Sequence, residues 1–123
     1  MMTIREVMNI VDGKVLIGEE RLDNRVDTAC GSDLMSDVLA FVKEKTVLIT
    51  GLINPHVVRT SEMLDITCIV FSRGKLPSAE ILEEAEEVGI TVLSTEMTTY
   101  TACGELYVHG LPGTKKRTGT KEG

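Results

Sequence analysis

Three short runs, "TVLIT" (Thr46 to Thr50), "DITCIVF" (Asp65 to Phe71) and "ITVLS" (Ile90 to Ser94), are rich in β-branched and apolar residues on consecutive positions. An amphipathic strand alternates apolar and polar positions; a continuous run suits a strand covered on both faces. Each run is followed by a helix signal. After the first, Asn54 and Pro55 offer an N-cap and a first helical position, with Val57, Val58, Ser61 and Leu64 facing inward. After the second, Ser72-Arg73-Gly74 turns the chain. Pro77 and Ser78 then start a helix with Ile81, Leu82, Ala85 and Val88 on one face and Glu83, Glu84, Glu86 and Glu87 on the other. Gly89 stops it in the left-handed conformation. After the third, Thr95 or Thr98 begins a last helix that ends at Gly110. The order βαβαβα predicts an α/β fold in three layers around a mostly parallel sheet with right-handed crossovers.

The first third of the chain reads less regularly. Thr3-Ile4-Arg5-Glu6 is a capping box, and Ile4, Val7, Met8 and Val11 recur at helical spacing until Asp12-Gly13. "KVLIG" is a candidate edge strand, "EERLDNRV" a loop anchored by Leu22, and "VDT" a further short strand. Ser32, with Asp33 in the first turn, is the expected N-cap of a helix running to about Lys43 or Glu44. The tetrapeptide Thr-Ala-Cys-Gly occurs twice, at 28–31 and 101–104. The first copy reads as the loop before Ser32, the second as part of the last helix. There Ala102, Cys103 and Leu106 share a packed face, and Gly104 would allow close helix packing at a cost of about 1 kcal/mol relative to Ala.

The 123 residues are expected to form one domain over 1–111 with a basic tail over 112–123. The tail carries Lys115, Lys116, Arg117 and Lys121 against Glu122, a net +3, so the body carries −9 within a whole-chain −6. An acidic body with no Trp and only four Phe and Tyr residues argues against a phosphate-backbone or base-stacking surface, so nucleic acid is not the expected partner. No apolar stretch approaches the roughly 18 residues of a membrane span and no secretory leader is visible. Three widely spaced cysteines make no disulfide framework. These readings point to the cytoplasm.

Ligands of an open parallel sheet settle beyond the C-terminal ends of its strands, where helix N-termini present free N–H groups. Here those ends supply Thr50, Gly51, Asn54, Ser72, Arg73, Gly74, Thr95 and Thr98, with Ser32 and Asp33 closing one side. Glycines, hydroxyls and one arginine suit a small anionic ligand such as a nucleotide. The competing reading makes the glycines turn residues and the hydroxyls helix caps. Neither a phosphate-binding P-loop nor a G-x-G-x-x-G is present, and no other cofactor fingerprint is. Cys30, Cys68 and Cys103 lack metal-ligand spacing; Cys68 belongs to a strand core. His56 reads as a surface residue and His109 as a helix C-terminal partner. Cys30, placed before a helix N-terminus, is the cysteine whose thiolate could be stabilised there. No catalytic constellation emerges, so a non-catalytic, ligand-binding module is expected. A ligand-free scaffold for a partner enzyme is the alternative, and a redox protein using Cys30 a third.

The stretch "FSRGKLPSAEILEEAEEVGITVLSTEMTTYTACGELYVHGL" resembles the C-terminal half of a DRTGG domain, and "GSDLMSDVLA" and "VLITGLINPHVV" resemble stand-alone DRTGG proteins. The resemblance spans residues 3 to 111. It implies a fold like the N-terminal domain of HPr kinase/phosphorylase and an accessory role, dimerisation and ligand sensing, of the kind these domains play beside CBS domains. The stand-alone type is similar to proteins encoded near iron hydrogenases, which implies a partner enzyme. The string that names the family is absent here; "LDNRVDTACGSDL" takes its place. The kinase's P-loop domain is absent too, so the resemblance does not extend to kinase activity.

Overall fold

The computed structural model describes residues 2–33 and 45–113. Within them a five-stranded sheet has the order β2-β7-β6-β5-β4, formed by β2 (Lys14–Ile17), β4 (Thr28–Gly31), β5 (Thr46–Thr50), β6 (Ile66–Phe71) and β7 (Thr91–Ser94). Strands β4 to β7 run parallel, and β2 pairs antiparallel with β7 at the far edge. Strands β1 (Met2–Thr3) and β3 (Arg25–Val26) form a separate two-stranded ribbon. The helices are α1 (Ile4–Ile10), α2 (Pro55–Met63), α3 (Ala79–Glu87) and α4 (Thr99–Val108), with a single 3₁₀ turn at Glu19–Arg21.

The continuous apolar runs become strands covered on both sides. Successive side chains point to opposite faces, and the two faces have separate cores. Val47, Ile49, Cys68, Val70 and Leu93 meet Ile4, Val7 and Val11 of the α1 region and Ala102 and Leu106 of α4. Leu48, Ile69, Phe71 and Val92 meet Val57 and Val58 of α2 and Ile81 and Ala85 of α3. All five residues of β5 are buried. The parallel α/β architecture is therefore the expected one, with α1 and α4 on one face and α2 and α3 on the other.

Local signals set the helix starts. Thr3 and Glu6 form a reciprocal capping box, Asn54 caps α2 with Pro55 following, Ser78 caps α3 and Thr98 caps α4. Positive φ at Gly89 (78°) and Gly110 (104°) ends the last two helices. His109 closes α4, its Nδ1 lying 2.8 Å from the Glu105 carbonyl, which can only accept.

Three expectations change. The first Thr-Ala-Cys-Gly is not a loop: it is β4, a parallel edge strand in register with Thr46 to Ile49. The strand expected at "VDT" is thus two strands, β3 and β4, on either side of Asp27, and "EERLDNRV" contains the 3₁₀ turn and β3. The second copy lies in α4 as expected, but Gly104 makes no close helix contact; a Cβ there would meet nothing within 4 Å. The helix expected from Ser32 to about Lys43 or Glu44 lies outside the described residues, as does nearly all of the basic tail.

Among the described residues two buried side-chain hydroxyls, those of Ser61 and Thr67, are not satisfied. The Ser61 hydroxyl, on the inner face of α2 at 0% exposure, has no hydrogen-bond partner. A polar atom buried without a partner keeps its desolvation cost with no return. Ser61→Ala removes that atom and raises helix propensity. It should raise stability by up to about 1 kcal/mol, read as a higher urea midpoint; a loss of stability would contradict the packing described here.

Candidate functional site

The register aligns the strand ends. Thr50 pairs with Phe71 and Phe71 with Ser94, so Gly51, Ser72 and Thr95 leave the sheet at the same height. The ladder runs on past them: Ser72 N–H donates to the Thr50 carbonyl and Thr95 N–H to that of Phe71, both at 3.0 Å. On the β4 side, Ser32 N–H donates to the Ile49 carbonyl at 3.0 Å, bringing Asp33 over the end of β5. The Asp33 Oδ1 accepts from the Thr50 hydroxyl (3.0 Å) and from Gly51 N–H (2.7 Å).

Among the described residues Asp12, Lys45 and Arg73 are the non-glycine residues at positive φ, and Arg73 is the one at the C-terminal end of a sheet strand. Its φ is +58° and that of Gly74 is +67°. Lys75 N–H donates to the Ser72 carbonyl at 3.2 Å, closing a turn with two successive positive φ angles, the signature of type I′. Gly, Asn and Asp are the residues that suit such positions; an arginine there costs on the order of 1 kcal/mol. The turn is held by Arg73 N–H on the Met97 carbonyl (2.7 Å) and Gly74 N–H on the Thr95 carbonyl (2.8 Å). The Arg73 guanidinium lies against Gly51, where a Cβ would stand 3.2 Å from its Cζ and closer still to one terminal nitrogen. A side chain at 51 would have to displace the guanidinium from this position. Among the described residues no carboxylate pairs with Arg73. On the far side of the turn the Glu96 carboxylate packs on Gly74 in the same manner, 2.8 Å from where a Cβ would be.

Of the residues singled out in the sequence, Asp33, Thr50, Gly51 and Arg73 come together as one cluster, with Ser32 leading in and Gly74 alongside. Others have hydroxyls or amides occupied inside the protein. Thr95 donates to the Val11 carbonyl (2.6 Å) and accepts from Met97 N–H (3.1 Å). Ser72 and Thr99 share a hydrogen bond at 2.6 Å. Asn54 accepts from His56 N–H (2.8 Å) and Thr98 from Thr101 N–H (3.2 Å), both as caps. Asn54 heads α2 and Thr98 heads α4, on opposite faces of the sheet. Glu96, which sequence reasoning did not single out, stands beside the cluster; the only signal was its place right after a strand end.

The cysteines also separate. All three are among the described residues and none is in a disulfide. Cys68 is fully buried, and burial pushes its thiol far up. Cys103 is pushed up as well, by burial first and by the proximity of Cys30 second. Yet Cys30 packs with the α2–α3 side of the sheet and Cys103 with the α1–α4 side, so the two thiols of the twin tetrapeptides face away from each other across β4. Cys30 lies within β4; the helix that the redox reading placed after it falls outside the described residues. Among the described residues no group of three or more His, Cys, Asp or Glu side chains could hold a metal, and no helix is long and apolar enough to cross a membrane.

Two outcomes test these assignments. Thr95→Val keeps the shape but orphans the buried Val11 carbonyl and Met97 N–H, and should cost about 1–3 kcal/mol in chemical denaturation. A neutral result would mean that Thr95 does not tie α1 to the strand end. In alkylation with iodoacetamide near pH 8, Cys103 should react more slowly than a simple model thiol, because burial favours its neutral form, and Cys68 should react only on unfolding.

A family model of the DRTGG domain matches residues 6–107. No curated protein sequence matches the chain significantly. Among solved structures, the chain is similar to the CBS and DRTGG domains of the regulatory region of Clostridium perfringens pyrophosphatase, crystallised with the activator diadenosine tetraphosphate. The TM-score is 0.68 at 23% identity, over 91% of this chain and 50% of that one. This chain thus spans half the length of that structure, and at such identity the likeness is one of fold. With the family model covering most of its length, the chain belongs to the DRTGG domain family.

Proposed function

We propose that this DRTGG domain is a regulatory, non-catalytic module that binds a nucleotide at the cluster of Asp33, Gly51, Arg73 and Gly74, with Glu96 at its rim. The observation that carries the reading is Arg73: a bulky residue held at positive φ, stacked on a glycine and lacking a carboxylate partner among the described residues. Backbone strain of this kind persists where the surroundings over-determine it, and such sites are often functional. A guanidinium fits a phosphate with two parallel N–H donors. The flanking Asp33 and Glu96 carboxylates disfavour a bare anion but suit a ligand that also offers hydroxyl donors. Phosphate and ribose together meet both needs. The pyrophosphatase regulatory region of like fold is activated by a dinucleoside polyphosphate, which supports the same ligand class here.

Thr50, Ser72, Thr95, Asn54 and Thr98 then serve the site by shaping its loops, their polar groups being engaged as caps and braces. Ser32 positions Asp33.

Thermal shift against a panel of mononucleotides and dinucleoside polyphosphates tests the proposal. A ligand at about 100 times its dissociation constant stabilises by about 2.7 kcal/mol, a shift of several degrees. Arg73→Gly should raise the melting temperature of the free protein by relieving the positive φ, a gain of about 1 kcal/mol, and abolish the ligand shift. Arg73→Ala should abolish it without the gain. Absence of any shift across the panel defeats the ligand reading, and an unchanged shift in both variants defeats this site.

A further inference from the structure

Helix α4 packs on the sheet through Ala102 and Leu106, yet its outer side is aromatic rather than charged: Tyr100 (89%) and Tyr107 (72%) are well exposed. Between that side and the edge strand β4 lies a cleft of about 580 Å³, lined among others by Gly31, Tyr100, Cys103, Glu105, Tyr107 and Gly113. The last of these shows which chain runs along it. Beyond α4, Leu111 is buried, and the chain then joins the outer edge of β4. Ala29 N–H donates to the Pro112 carbonyl at 2.9 Å, and Gly113 pairs with Ala29 in parallel. The described residues end there, at the first pair of a sixth strand. Thr114, Lys115, Lys116 and Arg117 follow in the sequence.

We propose that the occupant of this cleft is the chain's own basic segment: residues 114–117 extend the pairing along β4, and Lys115 lays its side chain in the cleft against the tyrosine rings and Glu105. Register and alternation select the residue. Parallel strands oppose residues one for one, so with Gly113 opposite Ala29, Lys115 stands opposite Gly31. Side chains alternate between the faces, and paired residues share a face. Ala29 packs with the α1–α4 core and Cys30 with the α2–α3 core. Lys115 therefore belongs to the α4 side, and Thr114 and Lys116 to the other. Gly31 leaves the space above it to the Cys103 sulfur, so β4 itself sends no side chain into the cleft at that level. Chemistry favours the same occupant. A lysine stem covers apolar lining while its ammonium meets aromatic faces and a carboxylate. The segment is basic and the chain as a whole carries −6, so the long-range field draws it inward. A strand edge is a template for any extended chain, and a segment tethered one residue away reaches it first. Another protein's strand adds to β4 only by displacing this one. The proposal is independent of the nucleotide reading.

Two measurements on the full chain test it. The first is amide hydrogen exchange by NMR on the unaltered protein. Continued parallel pairing directs Lys116 N–H to the Gly31 carbonyl and leaves Lys115 N–H pointing away from the sheet. Lys116 should exchange at least about tenfold more slowly than an unstructured peptide, and Lys115 at the peptide rate. The second is cross-linking to the native Cys103 with added diamide, which takes up the two protons and two electrons that a pair of thiols gives up. Lys115→Cys should close a disulfide with Cys103 within one chain, read by peptide mapping. Thr114→Cys, on the other face, should give at least about tenfold less of it, because disulfide geometry tolerates little displacement. Exchange at the peptide rate at Lys116 overturns the pairing. Cross-links to Cys103 that are equal from both positions, absent from both, or formed between two chains overturn the placement of Lys115 in the cleft.

Discussion

A parallel sheet must be buried on both faces, and nearly everything else in this domain follows from that constraint. Crossovers between parallel strands carry helices onto the faces. Here α2 and α3 cover one face from within the β5–β6–β7 crossovers. The other face is covered from outside the repeating unit, by α1 at the start of the chain and α4 at its end. The N-terminal segment is therefore not an appendage. The Thr95 hydroxyl on the Val11 carbonyl ties it to the strand end where the proposed site lies.

The same constraint shapes the chemistry at the strand ends. Loops leaving a buried sheet must satisfy their own polar groups, and most hydroxyls gathered there do just that. Thr95, Ser72, Asn54 and Thr98 are spent on caps and braces. Helix N-termini that look convergent on paper lie on opposite faces of the sheet. What stands apart from this economy is Arg73, held in a conformation its side chain does not favour, over a glycine that makes room for it. Asp33, bonded to the backbone of Gly51, fixes the loop under it.

The twin Thr-Ala-Cys-Gly segments show how little four residues decide. One is an edge strand and the other part of a helix packed over it. Gly31 passes directly beneath the Cys103 sulfur, and a side chain at 31 would collide with it. The copies are neighbours, but the alternation of a strand sends Cys30 to the opposite face from Cys103, so adjacency does not make a thiol pair. The second glycine, Gly104, has nothing within 4 Å of where a Cβ would stand and lines the cleft between α4 and β4.

Sequence by itself determined the three central strands, the caps of α1 to α3, the parallel topology and the family, because continuous β-branched runs and capping residues act through local backbone chemistry; the cap of α4 it left between Thr95 and Thr98. It did not reveal β4. Thr28 to Gly31 is short and ends in glycine, and it becomes a strand only because Thr46 to Ile49 offers an unpaired edge. Nor could it rank the polar residues at the strand ends. Thr95 and Arg73 both follow a strand and look equally available along the chain. Only the tertiary structure, by supplying the Val11 carbonyl to one and no carboxylate among the described residues to the other, decided which is a brace and which has no ion pair among the described residues. Hydrogen-bond partners far apart in sequence leave no local signal, and it is those partners that mark a polar group as structural.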